Sequence, residues 1–147
     1  GAGNQYHGGA GGGDALYANW SAVSNAITWV NAPATTQTVN DVNVSGIERM
    51  IIATGSGNDN IDAREGSDSV LAGGGHDHVV AGAGDDIVYG GTGDDIVLAG
   101  SGDDVVFGGA GNDRLLGEDG DDTIHGEQGD DRIAGRRRQR CPDRRRR

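Results

Sequence analysis

From residue 54 onward a single apolar position returns every nine residues: Ile61, Val70, Val79, Val88, Val97, Val106, Leu115, Ile124 and Ile133. The stretches between are polar and rich in glycine. Two residues before each apolar position stands an aspartate: Asp59, Asp68, Asp77, Asp86, Asp95, Asp104, Asp113, Asp122 and Asp131. Two residues before each aspartate stands a glycine, from Gly57 to Gly129. Residues 54–134 are therefore nine copies of one nonapeptide, x-G-x-G-x-D-x-U-x, with U apolar. A unit with one dependable apolar position can bury it only against its neighbours, so the period predicts a stacked, quasi-one-dimensional architecture.

Within a unit the first six positions read as turn, because glycine supplies positive φ and close backbone approach without steric cost. The last three read as a short strand with position eight inward and positions seven and nine outward. Two units then make one flattened coil, strand–turn–strand–turn, and coils stack in parallel at roughly 4.8 Å. The expected fold is all-β, a parallel solenoid in which residues of repeat n sit against those of repeat n+2. Even-numbered repeats should expose Leu71, Ile87, Tyr89, Val105 and Phe107 on one face. Odd-numbered repeats should expose Asn60, Asp62, His78, Val80, Ile96, Leu98 and Arg114 on the other.

Ahead of the array the pattern is weaker. Residues 1–17 carry a worn unit, with Gly12, Asp14 and Leu16 in the G, D and U slots, and Gly3, Gln5 and His7 fill the same slots poorly one unit earlier. Residues 18–53 hold two runs of alternation, Ala26 to Val30 and Val39 to Val44, the apolar Met50-Ile51-Ile52, and a break at Pro33, which predicts several short strands. The chain thus divides into an irregular β region at 1–53, the array at 54–134, and an arginine-rich tail at 135–147.

Charge sharpens this picture. The formal net charge is −11, with twelve arginines and no lysine. Eight of those arginines lie in 136–147, so the rest of the chain carries four against 22 acidic residues, a net −18. Such a body repels nucleic acid and attracts cations. Low hydrophobicity and high charge would by themselves suggest a disordered acidic segment; the unbroken apolar period argues for order once cation is present. The single cysteine, Cys141, rules out an internal disulfide framework, which leaves metal as the staple of a small exported domain. No apolar run approaches the roughly 20 residues of a membrane-spanning helix. The chain opens on Gly1 without an initiator methionine or a visible signal peptide, which reads as a fragment of a longer protein.

Stacking places the aspartates in columns, where unscreened repulsion is about 3–4 kcal/mol per neighbouring pair at an effective dielectric of 20. A hard divalent ion between turns removes that repulsion, and glycine carbonyls offer further oxygen ligands; flexible turns suit calcium better than magnesium. Other constellations carry less. His76 and His78 flank Asp77 and raise zinc, but at adjacent, opposite-facing positions they read as turn decoration. The acid pairs Asp85-Asp86, Asp94-Asp95, Asp103-Asp104, Asp121-Asp122 and Asp130-Asp131 mimic catalytic carboxylates, yet their repetition argues against a unique site. There is no HExxH and no GxSxG, and Ser21, Ser24 and Ser45 read as turn residues, so the chain is not expected to be an enzyme.

Gly90-Gly91-Thr92-Gly93-Asp94-Asp95-Ile96-Val97-Leu98 and Gly108-Gly109-Ala110-Gly111-Asn112-Asp113-Arg114-Leu115-Leu116 resemble, almost letter for letter, the nonapeptide of the RTX (haemolysin-type) calcium-binding repeats. Gly46-Ile47-Glu48-Arg49 before Thr54 is similar to that family's usual entry into its roll. The resemblance is strong over 54–134 and weak before it. It implies a right-handed parallel β-roll and calcium held between turns by the position-six aspartates and the backbone carbonyls of positions one to four. Carried over, the carbonyl positions are Gly73, Gly75, Gly82, Gly84, Gly91, Gly93, Gly100, Gly102, Gly109 and Gly111. It also implies export by type I secretion machinery through a C-terminal signal, folding outside the cell, and a parent toxin, lipase, metalloprotease or adhesin. Three repeats depart from the pattern, with Arg64-Glu65, Glu118-Asp119 and Glu127-Gln128 at positions two and three, where altered geometry or a lost site is expected.

Two function classes follow: a calcium-triggered folding and secretion module, or a cell-surface adhesion solenoid whose sheet face itself binds a ligand. The mixed apolar stripe of the even face looks like a docking surface, whereas Thr92 and Thr123 do not form the aligned ladder an ice-binding face needs. The tail breaks the repeat after Gly135. With CGG or CGA arginines and suitable codons elsewhere, reading one nucleotide later yields Gly-Gly-Gly-Asn-Asp-Val-Leu-Thr-Gly-Gly in correct register. The tail is therefore expected to be a shifted reading frame, in preference to a polybasic arm for acidic polymers.

Overall fold

In the computed structural model, residues 49–135 are described in full, together with the backbone of five short strands ahead of them. Those strands are β1 (Gln5–His7), β2 (Ala15–Asn19), β3 (Thr28–Val30), β4 (Gln37–Val39) and β5 (Val42–Ser45). The array follows as β6 (Arg49–Ala53), β7 (Asn60–Asp62), β8 (Ser69–Gly74), β9 (His78–Ala83) and β10 (Ile87–Thr92). It continues with β11 (Ile96–Ser101), β12 (Val105–Ala110), β13 (Arg114–Asp119), β14 (Thr123–Gln128) and β15 (Arg132–Gly135). One six-stranded sheet runs β14-β12-β10-β8-β6-β2 and the other β15-β13-β11-β9-β7-β3. Within the array every pairing is parallel and joins residues 18 apart, as in Val88 with Val70 and Val106, or Val97 with Val79 and Leu115, except after a register shift beyond Leu116 that sets Glu118 against Gly135. Two nonapeptides per coil is thus the observed geometry, and the chain is a parallel β-roll.

The strands are twice as long as the sequence suggests. From β8 to β14 each spans six residues: positions seven to nine of one repeat and one to three of the next. Turn is confined to positions four to six. The cause is backbone satisfaction, because the amides of position one face the following coil and those of position three the preceding one, and they would otherwise be buried without partners. Gly74 N–H, for example, donates to Gly55 O at 2.8 Å, and Ala83 N–H to Arg64 O at 2.6 Å.

Position eight is the core column, as expected: Ile61, Val70, Val79, Val88, Val97, Val106 and Leu115 are fully buried. It is not alone. Position one also points inward, with Ala63, Ala72, Ala81 and Ala99 fully buried beside it. The signal was present in the sequence, since position one is Gly, Ala or Thr throughout. Only a small side chain fits where two sheets converge on a coil this flat.

Outward positions fall where the alternation put them. Leu71, Ile87 and Tyr89 are exposed on the even sheet, with Val105 and Phe107 half-buried beside them; Ile96 is exposed on the odd sheet, with Val80 and Leu98 half-buried. Ahead of the array, β2 pairs with β6 and β3 with β7, so both sheets extend into the first 30 residues. Leu16 registers with Met50 and Ala18 with Ile52. Because Ile52 pairs with Val70, Ala18 occupies the column of the position-eight residues, two residues along the strand from Leu16, which the local reading put there. Gly3, Gly12, Asp14 and Pro33 lie outside the described residues. The alternating run Val39 to Val44 forms part of a small separate sheet, β1-β5-β4, in which β4 and β5 pair antiparallel. No helix among the described residues is long and apolar enough to cross a membrane.

Candidate metal centre

Each position-six aspartate sits at the last residue of a turn, immediately before its strand, and faces into the roll. Asp59, Asp68, Asp77, Asp86, Asp95, Asp104 and Asp113 are at most 2% exposed, a burial that carboxylates tolerate only when paired or neutralised. Asp122 and Asp131, in the last coil, are half-buried. One oxygen of each carboxylate is accounted for. Asp77 Oδ1 accepts the N–H of Asp59 at 2.8 Å, Asp95 Oδ1 that of Asp77 at 2.9 Å, and Asp113 Oδ1 that of Asp95 at 2.9 Å. On the opposite edge Asp86, Asp104 and Asp122 accept from Asp68, Asp86 and Asp104 at 2.8, 2.9 and 3.2 Å. Each aspartate from Asp68 to Asp131 thus reaches back one coil and ties its turn to the one before.

The other oxygen has no hydrogen-bond partner among the described residues. Oδ2 of Asp68, Asp77, Asp86, Asp95, Asp104 and Asp113 is buried and unsatisfied. Native structures rarely leave such atoms orphaned, and an ion is one standard resolution. The oxygen turns into the concave side of its own turn, beside position one: a Cβ built on Gly90 would lie 2.6 Å from Asp95 Oδ2.

Electrostatics agree. Burial pushes Asp77 and Asp86 up to about 7, and Asp68 and Asp95 up to about 6, from an ordinary 3.8. The backbone hydrogen bond to each lowers the value but does not offset desolvation, while neighbouring aspartates of the same column add to the rise for Asp77 and Asp86. Asp104 and Asp113 are raised for the same leading reason. The fold by itself holds these carboxylates in an environment that resists their charge.

The surrounding backbone is shaped by glycine at two places per turn. Position two (Gly73, Gly82, Gly91, Gly100, Gly109) and position four (Gly75, Gly84, Gly93, Gly102, Gly111) all adopt positive φ, between 98° and 147°. A Cβ on Gly93 would collide with the carbonyl oxygen of Gly75, one coil below, and one on Gly91 with that of Gly73. Carbonyls therefore approach the next coil closely at both places. Those of position two are partly used, as Gly55 O and Arg64 O show. Those of position four, at Gly75, Gly84, Gly93 and Gly102, accept no hydrogen bond from the described backbone. Orphaned carboxylate oxygens and unspent carbonyls within the same turns are the kinds of donor a hard cation such as calcium takes. No group of three or more His, Cys, Asp or Glu side chains converges in metal-ligating geometry among the described residues, so any such site must draw on main-chain oxygens.

The three departures at position two keep the turn. Arg64, Glu118 and Glu127 have φ of 72°, 69° and 71°, the left-handed conformation that glycine holds elsewhere. At two of them the backbone does depart from the regular pattern: β7 stops at Asp62, before Arg64, and the pairing register shifts between Leu116 and Glu118, whereas β14 runs unbroken through Glu127.

Position five carries a second ladder that the sequence reading passed over. Asn58 Oδ1 accepts the N–H of His76 at 2.8 Å, His76 Nδ1 that of Asp94 at 2.8 Å, and Asp94 Oδ1 that of Asn112 at 2.8 Å. On the other edge Asp85 accepts from Asp103 and Asp103 from Asp121, both at 2.9 Å. The signal was the restriction of this position to Asn, Ser, His and Asp, short side chains that can accept. The acid pairs are thereby explained: the first member caps an exposed amide of the next coil, and the second faces inward. His76 acts as an acceptor in this ladder, and His78 pairs with Asn60 at 3.3 Å on the outer face.

A family profile described as the RTX calcium-binding nonapeptide repeat matches four times, over residues 51–79, 71–106, 80–115 and 107–137, together more than half of the chain. The chain belongs to that family. No curated protein and no solved structure matches it. As an RTX repeat protein it is a calcium-binding module with a β-roll fold, from a family whose repeats are structural and ion-binding.

Proposed function

We propose that this RTX roll is a calcium-triggered folding module, ordered outside the cell and carried by a larger protein exported through type I secretion machinery. The observation that carries this reading is the double row of buried aspartates, in which Asp68, Asp77, Asp86, Asp95, Asp104 and Asp113 each have one oxygen satisfied and one orphaned. Asp59, Asp68, Asp77, Asp86, Asp95, Asp104, Asp113, Asp122 and Asp131 would hold calcium together with the carbonyls of the position-two and position-four glycines. The bound ion supplies positive charge where six or more carboxylates would otherwise be ionised in a dry interior. The chain's own residues do the rest: turn backbones place the oxygens, and the apolar column stacks the coils. At low calcium the carboxylates repel and the chain stays open, which suits passage through an export channel.

Far-UV circular dichroism tests this. With chelator at neutral pH the chain should be largely disordered, and it should gain β signal on adding calcium, with magnesium at equal concentration doing markedly less. A complete β signal in chelator, indifferent to calcium, would sink the proposal.

A further inference from the structure

The two outer faces of the roll differ in charge. On the odd face Asp62, Arg114 and Arg132 stand at outward strand positions. On the even face the outward columns from β8 to β14 contain no charged residue at positions seven or nine. In a body with a net −18 before its tail, two uncharged outward columns are a marked exception; the exposed charges of this sheet, Arg49 of β6 and Glu127 of β14, lie outside those columns.

That face also has relief. One column, position nine, is bulky: Leu71, Tyr89, Phe107 and His125. Tyr89 stacks on Phe107 with ring centroids 4.8 Å apart and planes 5° apart, and Phe107 on His125 at 5.1 Å and 11°. The other column, position seven, is slimmer: Ser69, Ile87, Val105 and Thr123. Since the rings cover one another's faces, they present edges to solvent. A sugar or base that needs an open ring face is poorly served there. An apolar ridge beside a shallow groove is what remains, with Leu71, Ile87 and Tyr89 each more than 40% exposed.

We propose that the even face joins two copies of this chain, packed sheet to sheet about a two-fold axis parallel to the coil axis. Two arguments select a second copy as the occupant. First, among the described surfaces only the position-seven and position-nine columns of this face let two such acidic rolls meet without a carboxylate in the contact, Glu127 lying beyond them; both turn edges carry exposed aspartates, and the same columns of the odd face carry charge of both signs. Second, that axis reverses strand direction in the partner, so the bulky column of each copy faces the slim column of the other. The patch is thus complementary to itself, as an isologous interface requires. Five strands about 4.8 Å apart, each about six residues long, give a face of roughly 24 by 20 Å. That area is below the roughly 800 Å² per partner of a tight complex, so the association should be weak, in the micromolar range.

Sedimentation equilibrium in saturating calcium, at chain concentrations from about 1 to 100 μM, reads the result against that weak-interface expectation. The mass should rise with concentration toward twice the 15.0 kDa of one chain. Phe107→Glu and, separately, Ile87→Glu should weaken association at least tenfold, while Leu98→Glu on the odd face leaves it unchanged. Circular dichroism in calcium on the same samples confirms that each variant is folded, so loss of dimer is kept apart from loss of the roll. A folded wild-type chain that stays monomeric throughout overturns the proposal, even if it binds some other protein. A dimer broken by Leu98→Glu and not by Phe107→Glu overturns the assignment of the face.

Discussion

Asp77 and Asp86 are the carboxyls whose ionisation the fold resists most, and protons should therefore do part of what calcium does. Their acidity shifts from 3.8 to about 7, and that of Asp68 and Asp95 to about 6, chiefly through burial. A group whose folded value is raised contributes stability that is complete below its unfolded value and lost as pH rises through the folded one. Here the window runs from about pH 4 to about pH 7. At 1.36 kcal/mol per unit, one such aspartate accounts for up to about 4 kcal/mol, and the four together for on the order of 10 kcal/mol. That is as large as the entire stability of a typical domain. In calcium-depleted buffer with chelator the chain should be open at pH 8 and gain β signal as pH falls, with a midpoint near 6. Asp77→Asn and Asp95→Asn remove the charge yet keep an Oδ1 acceptor for the N–H of Asp59 or Asp77. Each should move the acid midpoint upward in chelator and raise the calcium concentration needed at pH 8. The opposite signs separate burial of charge from general relief of the chain's net acidity. A metal-free β signal that is flat across pH 5–8, or that grows with pH, would refute the reasoning.

The left-handed positions make a paired prediction. Gly93→Ala drives a Cβ into the Gly75 carbonyl at φ 120° and should cost at least about 3 kcal/mol, read as a raised calcium midpoint; Glu118→Gly relieves an L-residue at φ 69° and should lower that midpoint by up to about 1 kcal/mol. Equal effects of the two changes would remove the steric argument. For the tail, the gene should read, one nucleotide later from Arg136, as Gly-Gly-Gly-Asn-Asp-Val-Leu-Thr; codons that yield no repeat in that frame end the idea.

The coil was legible because Asp and U recur with period nine and only a two-repeat turn puts both in register columns. The inward aspartates could be read for the same reason. Strand length could not, because Gly73-Gly74 or Gly91-Thr92 has little intrinsic β preference. It is the neighbouring coil, donating and accepting at 18-residue separation, that makes those residues strand. Arg64, Glu118 and Glu127 hold positive φ because coils on either side over-determine the backbone, while the departures the sequence led one to expect are visible where β7 ends before Arg64 and where the register shifts at Glu118. The small sheet β1-β5-β4 lies outside the nine-residue period: the alternation of Val39 to Val44 foretold its strands β4 and β5, whereas Gln5 and His7 read as slots of a worn repeat and instead belong to β1, which pairs with β5.

Direction within the two ladders ties these features together. Position-six side chains reach back to the preceding coil, as Asp95 does to the Asp77 amide, whereas position-five side chains reach forward, as Asp85 does to the Asp103 amide. Every turn is therefore held from both sides by side chains that belong to other coils. A coil folded alone would leave both sets of amides unsatisfied, and its aspartates would have no column in which to share an ion. Stability then resides mainly in the interfaces between coils, as a nearest-neighbour chain. The gradient of burial fits: position eight is fully buried from Ile61 to Leu115, half-buried at Ile124, and 51% exposed at Ile133. Calcium acts on those same interfaces, so binding in one coil should favour binding in the next, and the transition from open chain to roll should be steep in calcium concentration.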